Sequence, residues 1–390
     1  MDAGVQIRTI EPGDRAAVLD LYRKHYWRSH CLFLNPDFFH WQFDLPPGNA
    51  PLGGDQSVVA VDRHGQLLAH YGLAATDCSL RGKPLRGGNM LSWLTIPEAR
   101  GRGLGHRLLG WVIERHDFLF SRSPLPTSLP IFRRLGFRYF QQCRRWIAVL
   151  DAPATLALAV DASDAAARRA EARAVRCPTS ESFSVGREVP PGASALARMV
   201  LADSMTFDRT DAYLRWRYEQ HPCLRYEFIW LGAAAAPDCV AVVRVENVTG
   251  RPGRVLRVVE FLSSRTHAVS LANAVFAFGK QQGCAFADAF GVSERFLAGF
   301  VAAGGFDTIE EPELRLPHLF QPWTAQVETP GLLIYGRRTG EGEGRLGGAD
   351  DTSLIHLTKG DNSLDWPSWD PAAGRQAFAP AIAGNGAVAA

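Results

Sequence analysis

The chain has little of what usually gives a sequence away. Lysine occurs only at Lys24, Lys83, Lys280 and Lys359, and 42 basic residues stand against 40 acidic ones for a formal net charge of +2. So near a balance leaves no broad positive field for a nucleic-acid backbone, and no nucleic-acid partner is expected. The seven cysteines are odd in number, scattered, and never spaced Cys-x-x-Cys, which argues against a disulfide framework or a structural zinc; no metal is expected. No stretch reaches the roughly 18 uncharged apolar residues of a membrane span, so no membrane insertion is expected. The opening Met1-Asp2-Ala3-Gly4 lacks the basic-then-apolar order of a secretory leader, so the sequence reads as cytoplasmic.

What is present begins with length. At 390 residues with 46% apolar content, the chain has material for two cores. The most informative local feature is Arg100-Gly101-Arg102-Gly103-Leu104-Gly105, between an apolar strand ending at Ile96 and an amphipathic helix beginning near His106. Glycines there let successive backbone N–H groups turn inward, and a helix starting at that point aims free amides and the positive end of its dipole at an anion. The order differs from a dinucleotide-binding Gly-x-Gly-x-x-Gly and lacks the Gly-Lys-Ser/Thr ending of a P-loop. The geometry suits a pyrophosphate.

Periodicity and punctuation outline a strand and helix over residues 5–22, a hairpin over 57–80, a strand over 86–96, and the cradle with its helix. A buried strand over 118–121 follows, then a helix capped by Thr127 and stopped by Gly136, and residues 137–150 are expected to close the sheet. Residues 151–180 are an alanine-rich connector. The next stretch, 181–338, repeats the first in order: Pro12-Gly13 recurs as Pro191-Gly192, the Trp41 segment as the Trp216 segment, and Gly136-Phe137 as Gly305-Phe306. At the cradle the copies diverge, since Ser263-Ser264-Arg265-Thr266-His267 contains no glycine, so the second copy is expected to have lost anion binding. Residues 339–370 read as a flexible link and a short docked segment, and 371–390 as a disordered tail.

The Arg-x-x-Gly-x-Gly order after a strand ending in Ile96-Pro97 resembles the acyl-CoA pyrophosphate loop of the GNAT superfamily of N-acyltransferases. The resemblance implies an α/β fold with mixed sheets flanked by helices in two tandem GNAT-like domains, 1–150 carrying the acyl-CoA loop and 181–338 degenerate. It implies acetyl-CoA or another acyl-CoA as co-substrate and a small-molecule amine as acceptor, attacking the thioester directly. Backbone groups of Leu94, Thr95 and Ile96 would pair with pantetheine, and Arg100, Gly101, Arg102, Gly103, Leu104, Gly105 and His106 would hold the pyrophosphate. Leu68-Ala69-His70-Tyr71-Gly72, residues 213–222 and residues 360–365 further resemble tandem members associated with bacterial surface-polysaccharide clusters, which implies an amino sugar as acceptor.

Two departures concern proton transfer. The tyrosine that protonates the leaving thiolate in many members is Phe132 here, and the strand Gly87-Gly88-Asn89-Met90-Leu91-Ser92-Trp93 has no carboxylate to take the proton of the amine. A thiol of pKa about 8.5 leaves tolerably without an acid. Deprotonating a lysine-like amine at pH 7 costs roughly 4 to 5 kcal/mol, against about 1 for an amine near pKa 7.7, so the missing carboxylate favours a low-pKa amine. His70 is the candidate base. Trp41, Tyr71 and Ser128 are candidate acceptor contacts, with Asp37, Asp288, Asp361 and Asp365 as further acids within reach of an interdomain cleft. Two other readings stand beside this one: a non-catalytic CoA-binding scaffold, and a tRNA-dependent aminoacyl or peptidyl transferase of related fold, which the near-neutral charge disfavours.

Overall fold

The computed structural model describes residues 4–25, 35–122, 124, 126–140, 144–176, 182–248, 251–292, 294–316, 331–336 and 355–361. Residues 339–350 and 371–390, expected to be link and tail, lie outside these, as does Asp365. The strands of the first half are β1 (Gln6–Thr9), β2 (Val58–Val61), β3 (Leu67–Leu80), β4 (Lys83–Thr95), β5 (Phe118–Arg122), β6 (Arg138–Phe140) and β7 (Arg144–Val149). Those of the second are β8 (Ser184–Gly186), β9 (Met205–Phe207), β10 (Glu227–Ala233), β11 (Ala236–Asn247), β12 (Arg254–Ser263), β13 (Cys284–Gly291), β14 (Phe306–Asp307), β15 (Leu332–Gly336) and β16 (Ile355–His356).

These strands form two mixed sheets with one plan. The first runs β1-β2-β3-β4-β5-β15-β6, with β9 and β16 added beside β3, and the second runs β8-β10-β11-β12-β13-β7-β14. Along each path one neighbouring pair is parallel, β4–β5 in the first and β12–β13 in the second. A helix crosses over between the members of each pair, Leu104–Arg115 and Ala268–Gln281, as a parallel connection requires.

Residues 137–150 do not close the first sheet as expected. Only β6 stays there; β7 leaves and pairs between β13 and β14, while β15 comes back to fill the corresponding place between β5 and β6. The sheets thus exchange strands: the second holds β7 from the first half, and the first holds β15, together with β9 and β16, from the second. The apolar run Trp146-Ile147-Ala148-Val149 is fully buried in the second sheet, and a strand covered on both faces carries no sign of which sheet will cover it.

The halves also share a core. Trp41 and Trp216, 175 residues apart, each donate an indole N–H to the other's backbone carbonyl, at 2.7 and 2.9 Å. Their rings stack at 5.1 Å. Such a reciprocal contact is what a twofold relation between equivalent segments generates. Around it a single apolar cluster joins Tyr22, Phe38 and Phe43 to Tyr213, Tyr218 and Phe228. The connector is folded as two short helices, Ala152–Leu158 and Asp164–Ala172, capped by Asp151 and Ser163 and packed on the second sheet. No helix among the described residues is long and apolar enough to cross a membrane.

Candidate functional site

The parallel pair of the first sheet comes apart almost as soon as it forms. β4 and β5 are in register only over Gly87–Phe118, Gly88–Leu119 and Asn89–Phe120. Past Asn89, β4 continues for six residues paired to β3 alone, with two of its residues opposite Gly72 where the register slips between Tyr71 and Leu73. A bulge of this kind bends a strand out of the sheet, and β4 and β5 border an opening.

The ladder determines which backbone groups face that opening. Ile96 donates its N–H to Leu68 O at 3.0 Å, so Ile96 belongs to a hydrogen-bonded pair with β3, and by alternation so does Leu94. Trp93 and Thr95 therefore turn their N–H groups to the open side. Of the three residues read from the sequence as pantetheine partners, Thr95 turns its N–H to the open side, whereas Leu94 and Ile96 spend theirs on the sheet; Trp93, not among the three, also faces the open side.

The cradle lies where β4 ends. Arg100, Gly101, Arg102, Gly103 and His106 are exposed, Gly105 is half-buried, and Leu104 is buried as the anchor of the helix. Gly101 and Gly103 adopt φ of +74° and +75°, where a Cβ would be strained. Gly103 is the N-cap and has no side chain to bond the amides of the first turn, so among the described residues that helix start carries no side-chain cap. Gly105 serves a different end: a Cβ there would stand 2.2 Å from the Trp93 ring. Trp93 in turn meets Tyr71 at 5.5 Å and Phe132 edge-on at 5.8 Å, so an aromatic wall lines the opening from the cradle inward. Phe132 brings no phenol to it.

The other face of β4 holds polar groups. The place a Cβ would take at Gly72 is met by Ser92 Oγ and the Phe43 ring, which puts Ser92 on the face covered by the helices Arg15–His25 and Pro36–Phe43. Tyr22 donates to Ser92 Oγ at 2.9 Å and contacts His70 Nδ1 at 3.0 Å. With the single Tyr22 hydroxyl hydrogen given to Ser92, Nδ1 of His70 is the donor in the second bond, and Ser92 keeps its own O–H to donate.

This arrangement corrects the reading of His70 as a base facing the cleft. The residue is 1% exposed and its Nε2 is buried without a partner among the described residues. Burial pushes its pKa down to about 3, slightly opposed by Asp14. A neutral imidazole so reluctant to ionise is no proton acceptor at neutral pH; it orients Tyr22 and, through it, Ser92. Trp41 and Tyr71 are likewise buried, in the shared core and against Met90 Sδ, and neither is open to an acceptor. Ser128 is half-buried at the start of the helix Leu129–Arg134, taking the N-cap position expected for Thr127.

The second sheet repeats the opening and fills it. β12 and β13 pair from Arg254 to Val258 and then separate. The segment 355–361 enters there: His356 Nε2 lies 2.8 Å from Glu260 of β12, Thr358 bridges to Gly291 of β13, and the Leu357 carbonyl accepts the Val292 N–H at 3.0 Å. Beneath it Arg209 joins Glu260 at 2.6 Å and Asp361 at 2.7 Å, and Tyr213 donates to Asp361 at 2.7 Å. Arg209 and Glu260 are fully buried. Burial alone would raise the Glu260 carboxyl, but Arg209 and the His356 contact outweigh it and hold its pKa at about 2. Sequence reasoning missed Arg209, Glu260 and His356; the signal available was Glu260 standing alone in the apolar run Val258-Val259-Glu260-Phe261-Leu262. Asp288 is buried between Arg145 and Arg257 and far from solvent, and Asp37 is exposed. A separate cavity of about 240 Å³ between the β3–β4 turn and the helix Ala193–Val200 contains no cradle residue.

No known family model and no curated protein matches the sequence. Among solved structures the chain is similar to a probable N-acyltransferase from Enterococcus faecalis, itself a conserved protein of unknown function, at 10% identity over 85% of this chain and 72% of that one, with a TM-score of 0.55. It is similar to a GCN5-related N-acetyltransferase from Anabaena variabilis at 11% identity, over 84% and 72% of the two chains, TM-score 0.51. N-myristoyltransferase from Saccharomyces cerevisiae with bound myristoyl-CoA matches at 10% identity over 92% and 86%, TM-score 0.50. At such identities the likeness is one of fold: two mixed, helix-flanked sheets of GNAT type.

Proposed function

We propose that this chain is an acyl-CoA-dependent N-acyltransferase, with acetyl-CoA the expected donor and a small amine the acceptor. The observation that carries the reading is the conjunction of an opened parallel pair with an uncapped helix start and two left-handed glycines at its mouth. The fold it shares with acyltransferases supports the same reading. On this view the first half holds the donor, while the second arose as its duplicate and has given up that role.

In the mechanism we propose, the cradle amides hold the pyrophosphate, and the thioester reaches inward along β4. The N–H groups of Trp93 and Thr95, fixed by the ladder on the open side, would stabilise the charge that develops on the thioester oxygen. The hydroxyl of Ser92, held by Tyr22, supplies a further donor. With Phe132 where a phenol would protonate sulfur, the thiolate leaves on its own acidity. The same shortage of proton acceptors selects amines that are largely neutral near pH 7. Amino sugars, including those of surface polysaccharides, meet that condition, and lysine side chains do not.

Thiol release from acetyl-CoA in the presence of an amine panel tests this. Turnover with amino sugars or α-amines exceeding that with lysine peptides is the expected result. Tight binding of acetyl-CoA with no turnover on any amine would favour the scaffold reading, for which the absent phenol and carboxylate are the specific argument. Preference for lysine peptides would overturn the acceptor assignment alone.

A further inference from the structure

Asn89 is the last residue of β4 to pair with β5, and so stands at the apex of the first opening. Its neighbour Gly88 faces Leu119 and His116. By strand alternation the Asn89 side chain lies on the opposite face, the one that carries Ser92. There its Nδ2 donates to the backbone carbonyl of Asp361 at 2.8 Å. A carbonyl can only accept, so this contact fixes which end of the amide is nitrogen and turns Oδ1 the other way. Oδ1 is buried and has no hydrogen-bond partner among the described residues.

We propose that Asn89 Oδ1 receives an N–H of the acceptor amine, and that segment 355–361, seated in the second opening, locks the amide in the orientation that makes this possible. The inference rests on the acyltransferase reading and extends it to the acceptor. A buried acceptor with no donor is uncommon and asks for a reason; at the apex, a substrate N–H is that reason. The carboxylate of Asp361 is taken by Arg209, Tyr213 and the Thr358 amide, so its backbone carbonyl is a stationary support rather than a rival ligand.

The chemistry then balances without a protein base. The amine lone pair forms the N–C bond while one of its N–H groups rests on Asn89. The C–S bond breaks with its electron pair on sulfur, and the extra proton of the nitrogen ends on that thiolate, directly or through water. Asn89 takes no proton and offers no compensating charge to an ammonium ion. It therefore sorts amines by protonation state as well as by position, and the second half acts on the reaction through the segment it clasps.

The test compares the full-length protein with Asn89→Ala and Asn89→Asp, using glucosamine and a lysine-containing peptide as amines. Acetyl-CoA binding is read by calorimetry, and kcat/KM by thiol release. Asn89→Ala should bind acetyl-CoA within about twofold of wild type, the cradle being distant, and lose about 10- to 100-fold in kcat/KM for glucosamine. Asn89→Asp places a proton acceptor at the same point. It should raise the ratio of lysine-peptide to glucosamine turnover and lower the pH at which the lysine reaction reaches half its maximum, changes that a purely structural role does not produce. Glucosamine turnover by Asn89→Ala within about threefold of wild type, or an unchanged amine ratio in Asn89→Asp, overturns the proposal. Failure of wild type to bind acetyl-CoA, or to acylate either amine, overturns the reading beneath it and this proposal together.

Discussion

The two openings differ less in their strands than in the loops after those strands and in the occupant of each gap. Both arise where a parallel pair in the middle of a seven-strand path separates, with a crossover helix ahead. After β4 come two left-handed glycines and an uncapped helix; after β12 come Ser264, Thr266 and His267, whose side chains bond one another. Among the described residues no segment pairs into the first gap, and the rings of Tyr71, Trp93 and Phe132 meet beside it. The second holds a segment of the same chain, fastened by buried charges. The same strand geometry thus occurs in both sheets, and the residues that differ between them lie in the loops after β4 and β12 and in segment 355–361.

The largest effect should come from the filled side. Arg209→Met removes the cation between Glu260 and Asp361 and leaves two buried carboxylates, a loss of about 3 to 5 kcal/mol; thermal unfolding should report a large drop, and a shift within error would mean the segment is not held by that cluster. Gly103→Val forces a β-branched residue into the left-handed region, a strain of about 1 to 3 kcal/mol, and should weaken acetyl-CoA binding by a corresponding factor while replacement of Arg265 by alanine in the equivalent second loop leaves it unchanged. Trp41→Phe and Trp216→Phe each orphan a buried carbonyl, at about 1 to 3 kcal/mol. Because the two bonds belong to one reciprocal contact, the double variant should lose less than both losses added; strict additivity in denaturant titrations would count against a shared seam.

At neutral pH the effect of the buried histidines is silent, and it appears only on acidification. Burial lowers His70 to about 3, and chiefly burial lowers His116 to about 4. In the unfolded chain both take protons near pH 6.5, so stability is full above that value and declines as pH falls toward the folded pKa values, by up to about 1.4 kcal/mol per pH unit for each histidine. His70→Gln should flatten part of that decline. Stability that is level from pH 7 to pH 5 would show that His70 is not sealed off.

The glycine turn into the helix at Leu104 was legible because its signal is local. Positive φ demands glycine, a helix start demands a change of periodicity, and both sit within a few residues. The paired tryptophans were legible as a repeat, though not as partners. What escaped depends on the other half of the chain: β7 reads as a closing strand because nothing in Trp146-Ile147-Ala148-Val149 names its sheet, and β15 arrives from nearly two hundred residues away. The same cause misplaced the candidate base. His70 alternates correctly for an exposed face, but the helices laid over that face bury it. Asn89, Ser92 and Trp93 were visible in the sequence only as a strand without a carboxylate. Their significance depends on a bulge, on Tyr22 from a distant helix, and on a carbonyl contributed by Asp361.

The central claim is that the first opening binds an acyl-CoA and the second, occupied by residues 355–361, does not. Calorimetric titration of the full chain with acetyl-CoA measures this directly. One molecule bound per chain, and binding weakened roughly 5- to 150-fold in Gly103→Val, is the predicted result. Two molecules per chain, or undiminished binding by Gly103→Val, would contradict it.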